Sequence, residues 1–285
     1  MTEAARRAQW RALVERRLPE AARPDWPVRL DHCFARILLD NTCGGPWRDH
    51  VRPPAYANMP LDRLEGAIAL GEAVLAGDAD LALLNRRSLA WRGKIAPAVV
   101  PETLRDGDLI LRRWRPEDTA PFAALNADPT VMAHFPRPRT AAESAAEAGI
   151  FDRRFVADGF GPWAVEHAGR FIGFAGAMRI LQPLPFPGGD RPGRTVELAW
   201  RLARDAWGHG FATRAARCAL ADLSKRCGIR AVVAFTAAGN TRSRAVMERI
   251  DMVPAGTFSH PAVPEGPLRT HVLYRLDCAD REVAA

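Results

Sequence analysis

Between Thr195 and Cys227 the chain reads strand, glycine turn, helix, and this succession constrains the fold more than any other segment. Thr195-Val196-Glu197-Leu198-Ala199-Trp200-Arg201-Leu202 alternates with a strand's two-residue period. Val196, Leu198, Trp200 and Leu202 share one face, and Thr195, Glu197, Ala199 and Arg201 share the other. Trp207-Gly208-His209-Gly210-Phe211-Ala212-Thr213 follows. A helical pattern runs on from it, with Ala212, Ala216, Ala219, Leu220 and Leu223 in one apolar stripe. The first turn of a helix presents backbone N–H groups without partners and the positive end of the helix dipole. Glycines there let an anion approach the main chain closely, and a phosphate or diphosphate is the natural guest. A tight strand-to-helix turn also needs glycine for its backbone alone, so the turn has that structural reading too. Two other phosphate motifs fall. The turn lacks the Lys of a P-loop. A dinucleotide fingerprint asks for Gly or Ala where Thr213 stands, and for an acid at the end of the next strand, where Ala234-Phe235-Thr236 has none.

Around this segment the pattern predicts a mixed sheet. Strands are expected at Leu109 to Trp114, Trp163 to Glu166, Arg170 to Arg179, Thr195 to Leu202 and Ala231 to Thr236, and near Val253 to Phe258 and His271 to Leu276. Helices are expected at Pro116 to Asn126, with Pro in the first turn, and at Thr140 to Val156, Phe211 to Cys227 and Thr241 to Ile250. His167-Ala168-Gly169 reads as a hairpin turn, and Leu181 to Gly193 as a Pro/Gly loop. Helices before a meander that then meets a β-α-β-α unit give an α/β (α+β) fold with a mixed sheet, not a doubly wound one.

Residues 1–95 read differently. Leu61, Leu64, Ile68, Val74 and Leu75 recur at near-helical spacing, Gly77 stands where that helix would stop, and Asp80 is placed to cap the next. Val28 to Leu39 is expected to be helical, ended by Cys43-Gly44-Gly45-Pro46-Trp47. The expected organisation is a small all-helical auxiliary domain at 1–95, a Pro/Gly linker at 96–107, the mixed domain at 108–278 and a tail at 279–285. The helical part is either a plain auxiliary module or a substrate-selecting or protein-docking one. His32, Cys33, Cys43 and His50 suggest zinc only superficially. Adjacent His32 and Cys33 share one ion poorly and no Cys-x-x-Cys spacing occurs, so no metal is expected.

Composition narrows the partners. The net charge of +7 divides evenly, with 15 basic and 12 acidic residues in 1–100 and 25 and 21 in the rest. No basic tail or stripe stands out, which argues against nucleic acid as the partner. No apolar run reaches the roughly 18 to 20 residues of a membrane helix. Met1 to Trp10 is charged and lacks an apolar core, so no secretory signal is expected there. Five cysteines, an odd number in a long chain, suit reduced thiols in a cytoplasm.

From about Asp108 to Cys278 the chain resembles the GNAT acetyltransferases, most closely their Rim-type, ribosomal-protein-alanine acetyltransferase-like branch. Three motifs carry the likeness: Leu109-Ile110-Leu111-Arg112-Arg113-Trp114-Arg115-Pro116-Glu117-Asp118, the Trp207 to Thr213 turn, and Asn240-Thr241-Arg242-Ser243-Arg244-Ala245-Val246-Met247-Glu248-Arg249-Ile250-Asp251-Met252. Two positions depart from the family pattern. Trp207 stands where Gln or Arg is usual, although Trp is familiar in the Rim-type branch. Asp251 stands where Gly usually closes the last helix, and Asp tolerates a left-handed C-cap less well, at about 1 kcal/mol.

The resemblance implies attack of a substrate amine on the thioester of acetyl-CoA, without a metal. It implies that Gly208, His209, Gly210, Phe211, Ala212 and Thr213 hold the cofactor diphosphate. Leu198, Ala199 and Trp200 would offer main-chain groups to the pantetheine arm, and Asn240 would cap its helix and touch the same arm. Glu197, in a strand one element before the turn, is the candidate base, unless it is a solvated residue or a partner of Arg201. Ser243 is the candidate acid, with Tyr274 as the alternative. His134 and Phe135, between the first two helices of this domain, are candidates for the acceptor cleft. The acceptor itself, a protein N-terminus or a small amine, stays open, as does an oligomer. A catalytically inactive acyl-CoA-binding sensor or scaffold is the competing expectation.

Overall fold

The computed structural model describes residues 2–96, 99–189 and 192–278, so Pro97 and Ala98 of the expected linker and the expected tail at 279–285 lie outside it. The chain forms two compact units. One takes the described part of 1–98 together with 156–158 and 179–195; the other takes 99–155, 159–178 and the described part of 196–285.

The first unit is helical: α1 (Glu3–Ala12), α2 (Leu18–Glu20), α3 (Asp31–Cys43), α4 (Ala55–Asn58), α5 (Leu61–Ala76) and α6 (Leu81–Trp91). Trp10, Leu13, Phe34, Ile37, Leu38, Leu64, Ile68 and Leu84 bury into one core. Gly77 ends α5 in a left-handed conformation, and the Asp80 carboxylate accepts from the Leu83 N–H at 3.0 Å, as the spacing leads one to expect. The α3 helix starts three residues later than expected and runs on to Cys43, because only Gly44 takes the left-handed turn that ends it. The unit is not one stretch of chain. Asp158 and Arg179 belong to it, and Arg87 Nε lies 3.2 Å from Asp158 Oδ1, with Arg179 Nε at 3.6 Å. The Arg87 and Asp158 side chains are fully buried, and such charges are tolerated only when paired.

The second unit is an eight-stranded sheet in the order β1-β2-β3-β4-β5-β6-β8-β7. Its strands are β1 (Thr103–Asp106), β2 (Leu109–Arg112), β3 (Pro162–His167), β4 (Arg170–Arg179), β5 (Val196–Leu202), β6 (Ala231–Ala237), β7 (Val253–Ser259) and β8 (Thr270–Asp277). The helices are α7 (Thr119–Ala127), α8 (Ala141–Asp158), α9 (Phe211–Cys227) and α10 (Thr241–Arg249). This is the expected mixed sheet flanked by helices. One correction concerns the linker: Thr103–Asp106 is a strand antiparallel to β2, with Thr103 opposite Arg112. A polar edge strand of four residues carries no alternation by which a sequence could show it.

Two cores lie in this unit. Val196, Leu198 and Leu202 of β5 pack with Ala215, Ala216, Ala219, Leu220 and Leu223 of α9. Phe122, Leu125, Phe151 and Phe174 form a second cluster, with Ala199 of β5 against it. Because β5 alternates, Glu197 and Arg201 share the face of Ala199. A Cβ added to Gly173 of β4 would lie 2.2 Å from the Arg201 carbonyl oxygen, so β4 approaches β5 too closely for any side chain there.

Candidate active site

The parallel strands β5 and β6 are joined by Glu197 opposite Val233; among the described residues no other ladder pair links them. Toward their C-terminal ends the main-chain groups of Ala199 and Trp200 are therefore not tied to β6, which is how a parting pair of parallel strands presents an edge. Beyond Leu202, Trp207 donates from Nε1 to the Leu202 carbonyl at 2.9 Å, which fixes the ring at the head of the turn.

Gly208 and Gly210 have φ of 83° and 76° and are exposed, as is His209. A Cβ at either glycine would meet nothing within 4 Å. No side chain caps the helix that begins at Phe211, no acid lies in its first turn, and its first backbone bond runs from Arg214 N–H to the Gly210 carbonyl. The N–H groups of Phe211, Ala212 and Thr213 thus precede the helical ladder. Phe211 is braced by His167, with ring centres 4.4 Å apart, and Thr213 is buried. The turn is open, positively polarised and held from below.

Glu197 is half-buried, and desolvation pushes its carboxyl from the usual 4.5 up to about 7, with the Arg154 charge opposing. Arg201 is not its ion-pair partner. The Arg201 guanidinium donates from Nη1 to Asn126 Oδ1 at 2.6 Å and to Glu147 Oε2 at 3.3 Å. It also lies over the Phe135 ring at 4.5 Å. Desolvation holds the Arg201 pKa below its ordinary value. The connection between α7 and α8 is thereby brought onto the Glu197 face of β5. His134, in the same connection, is half-buried, and its imidazole is held low by desolvation and by the charge of Arg242.

Asn240 caps α10: its Oδ1 accepts from Ser243 N–H at 3.2 Å, and its Nδ2 donates to Thr236 Oγ1 at 2.9 Å. Both ends of the amide are engaged, which ties α10 to the end of β6. Ser243 is half-buried in the first turn. Tyr274 lies on β8. It is buried among the α9-side core residues, and its hydroxyl donates to Glu248 Oε1 at 2.9 Å. Sequence reasoning gave no role to Arg154 or Arg242, whose charges act on Glu197 and His134, and considered Arg201 only as a partner of Glu197. The strand period put Arg201 on the Glu197 face, but its partners lie 54 and 75 residues away in the chain.

A separate cavity of about 600 Å³ lies among Pro121, Leu125, Val131, Phe171 and Ala203, and Glu197 does not line it. Among the described residues no group of three or more His, Cys, Asp or Glu could hold a metal, and no helix is long and apolar enough to cross a membrane.

A strand carboxyl with a raised pKa, a parting strand edge and an open glycine turn thus follow one another between Glu197 and Thr213. Residues 108–253 match the Acetyltransferase (GNAT) domain, and the chain belongs to that family of acetyltransferases. Solved structures similar to it include a GNAT-family acetyltransferase from Bacillus anthracis, at 19% identity and a TM-score of 0.50, with 62% of this chain and 99% of that one covered. An acetyltransferase from Agrobacterium tumefaciens is similar at 22% identity, a TM-score of 0.50, and coverage of 62% and 95%. A third, from Salmonella typhimurium, modifies the N-terminal serine of the 50S ribosomal subunit protein L7/L12; it is 13% identical, with a TM-score of 0.52 and coverage of 62% and 99%. These structures share the fold of this chain.

Proposed function

We propose that this chain moves the acetyl group of acetyl-CoA to a primary amine by direct attack within a ternary complex. The observation that carries the reading is the placement of Glu197, a carboxyl pushed up to about 7 by desolvation, beside an open strand edge and one element before an exposed glycine turn. The amides of Gly208 to Thr213 bind the diphosphate, with the helix dipole favouring its charge. Main-chain groups of Leu198, Ala199 and Trp200, with the Asn240 cap nearby, receive the pantetheine arm. Glu197, ionised, takes a proton from the bound ammonium. The free amine attacks the thioester carbonyl, the C–S bond breaks, and the nitrogen gives its second proton to Ser243 Oγ as the thiolate leaves. Ser243 passes a proton to that thiolate; Tyr274 is already engaged with Glu248. The products are the acetamide, CoA thiol and one proton.

His134 and Phe135 border the acceptor. A protein N-terminus is the acceptor class favoured by the similarity to the Salmonella protein, with small amines as the alternative. A CoA-release screen over peptide N-termini and small amines tests this, alongside calorimetric titration of acetyl-CoA. No binding at millimolar acetyl-CoA would remove the reading. Binding with no turnover on any amine would favour the sensor or scaffold role instead.

A further inference from the structure

This inference deepens the reading above and rests on it, namely that the Gly208 to Thr213 turn holds a diphosphate. Trp207, at the head of that turn, has one polar side-chain atom, Nε1, and the Leu202 carbonyl occupies it. The turn's own first residue therefore offers a ligand no polar or charged group. Its ring face is covered from α10: Arg242 Cζ lies 4.5 Å from the Trp207 ring. Arg242 is the second residue of that helix and is exposed. Among the described residues it has no carboxylate partner.

Three other arginines of α9 and α10 are committed elsewhere. Arg214 is bound to Asp106 and Asp108, Arg217 to the Arg249 carbonyl, and Arg244 to the Ala238 carbonyl. A stacked guanidinium spends its face on the indole and keeps its N–H edge for an acceptor. Stacking also restrains a long side chain beforehand, which lowers the entropy lost on binding. Its charge acts on this side of the site, since it lowers the His134 pKa together with burial. The first turns of α9 and α10 carry no acid to neutralise it.

We propose that Arg242, held against Trp207, supplies the side-chain cation that clasps the diphosphate of the CoA ligand. An arginine edge and the three helix-end amides then face one anion from two elements. The test is calorimetric titration of CoA and of dephospho-CoA, which both carry the diphosphate, into the full chain and its Arg242→Gln and Arg242→Lys variants. Loss of a charge-assisted contact of this kind is expected to weaken both ligands about tenfold in the Gln variant. The Lys variant should lose less. Circular dichroism melting confirms that each variant is folded, as an exposed first-turn position predicts. Unchanged affinity in the Gln variant overturns the assignment. So does a loss confined to CoA, which would put the guanidinium on the ribose phosphate. A wild-type chain that binds neither ligand removes the acetyltransferase reading itself, and this assignment with it.

Discussion

Glu197 stands opposite Val233 at the point where the parallel strands β5 and β6 join, and its carboxyl is pushed up to about 7 by desolvation. Below that pH the group holds a proton and is no base, so kcat is expected to rise as pH increases through about 7. Glu197→Gln is expected to lower kcat about a hundredfold, within the usual span for a general base, and to leave the Kd for acetyl-CoA unchanged. A pH-rate profile on each protein checks both statements. An unaltered profile in the variant would clear Glu197 of the role.

The same shift predicts a stability trend. A carboxyl whose folded pKa lies above its unfolded value favours folding only while protonated. Its contribution is present below about pH 4.5, is lost as pH rises from there to about 7, and is constant above. Glu197→Gln removes the cost of a buried charge, so the variant is expected to be more stable at pH 8 by on the order of 1–3 kcal/mol and little changed at pH 4. Urea unfolding at the two pH values measures the difference.

Arg201 joins β5 to α7, α8 and the connection between them through Asn126, Glu147 and Phe135. Arg201→Met leaves Asn126 Oδ1 without its donor and loosens Phe135. The expected result is a loss of about 2–4 kcal/mol in stability and a larger rise in the acceptor KM than in that of acetyl-CoA. Arg201→Lys keeps the charge but not the fork and should recover part of the stability only. Equal effects on the two KM values would separate Phe135 from the acceptor.

Gly210 has room for a side chain but a φ of 76°. Gly210→Ala is therefore a conformational change rather than a clash, costing about 1–2 kcal/mol in the left-handed region. The turn is expected to relax away from that region and re-aim the first amides of α9. The Kd for CoA should rise several-fold with a small fall in Tm, read by titration and by thermal melting.

Asp251 adopts φ of 64° at the end of α10, and the Met252 N–H reaches the Met247 carbonyl at 3.0 Å, the six-to-one bond of a left-handed helix stop. Asp251→Gly relieves the Cβ strain and is expected to stabilise the chain by up to about 1 kcal/mol without changing kcat. Denaturant midpoints compare the two.

Much of this architecture is local and was legible as such. The α9 helix runs from Phe211 to Cys227 as its stripe dictates, the hairpin turns at Ala168 and Gly169 with positive φ at both, and Asp80 and Gly77 bound their helices. Each depends on side-chain period, capping or turn chemistry within a few residues. The β1 strand escaped notice because it is short, polar and recognisable only beside β2. So did the grouping of 156–158 and 179–195 with the helical unit, in which Asp158 pairs with Arg87.

By itself the sequence determined which backbone groups are bare at the Gly208 to Thr213 turn and which face of β5 carries Glu197, since both follow from local period. Tertiary structure alone decided that Arg154 rather than Arg201 acts on Glu197, that Phe135 lies against Arg201, and that Trp207 carries Arg242. The physical reason is range. Dihedral preference and alternation act over a few residues, whereas desolvation and ion pairing depend on which distant segments the fold brings together.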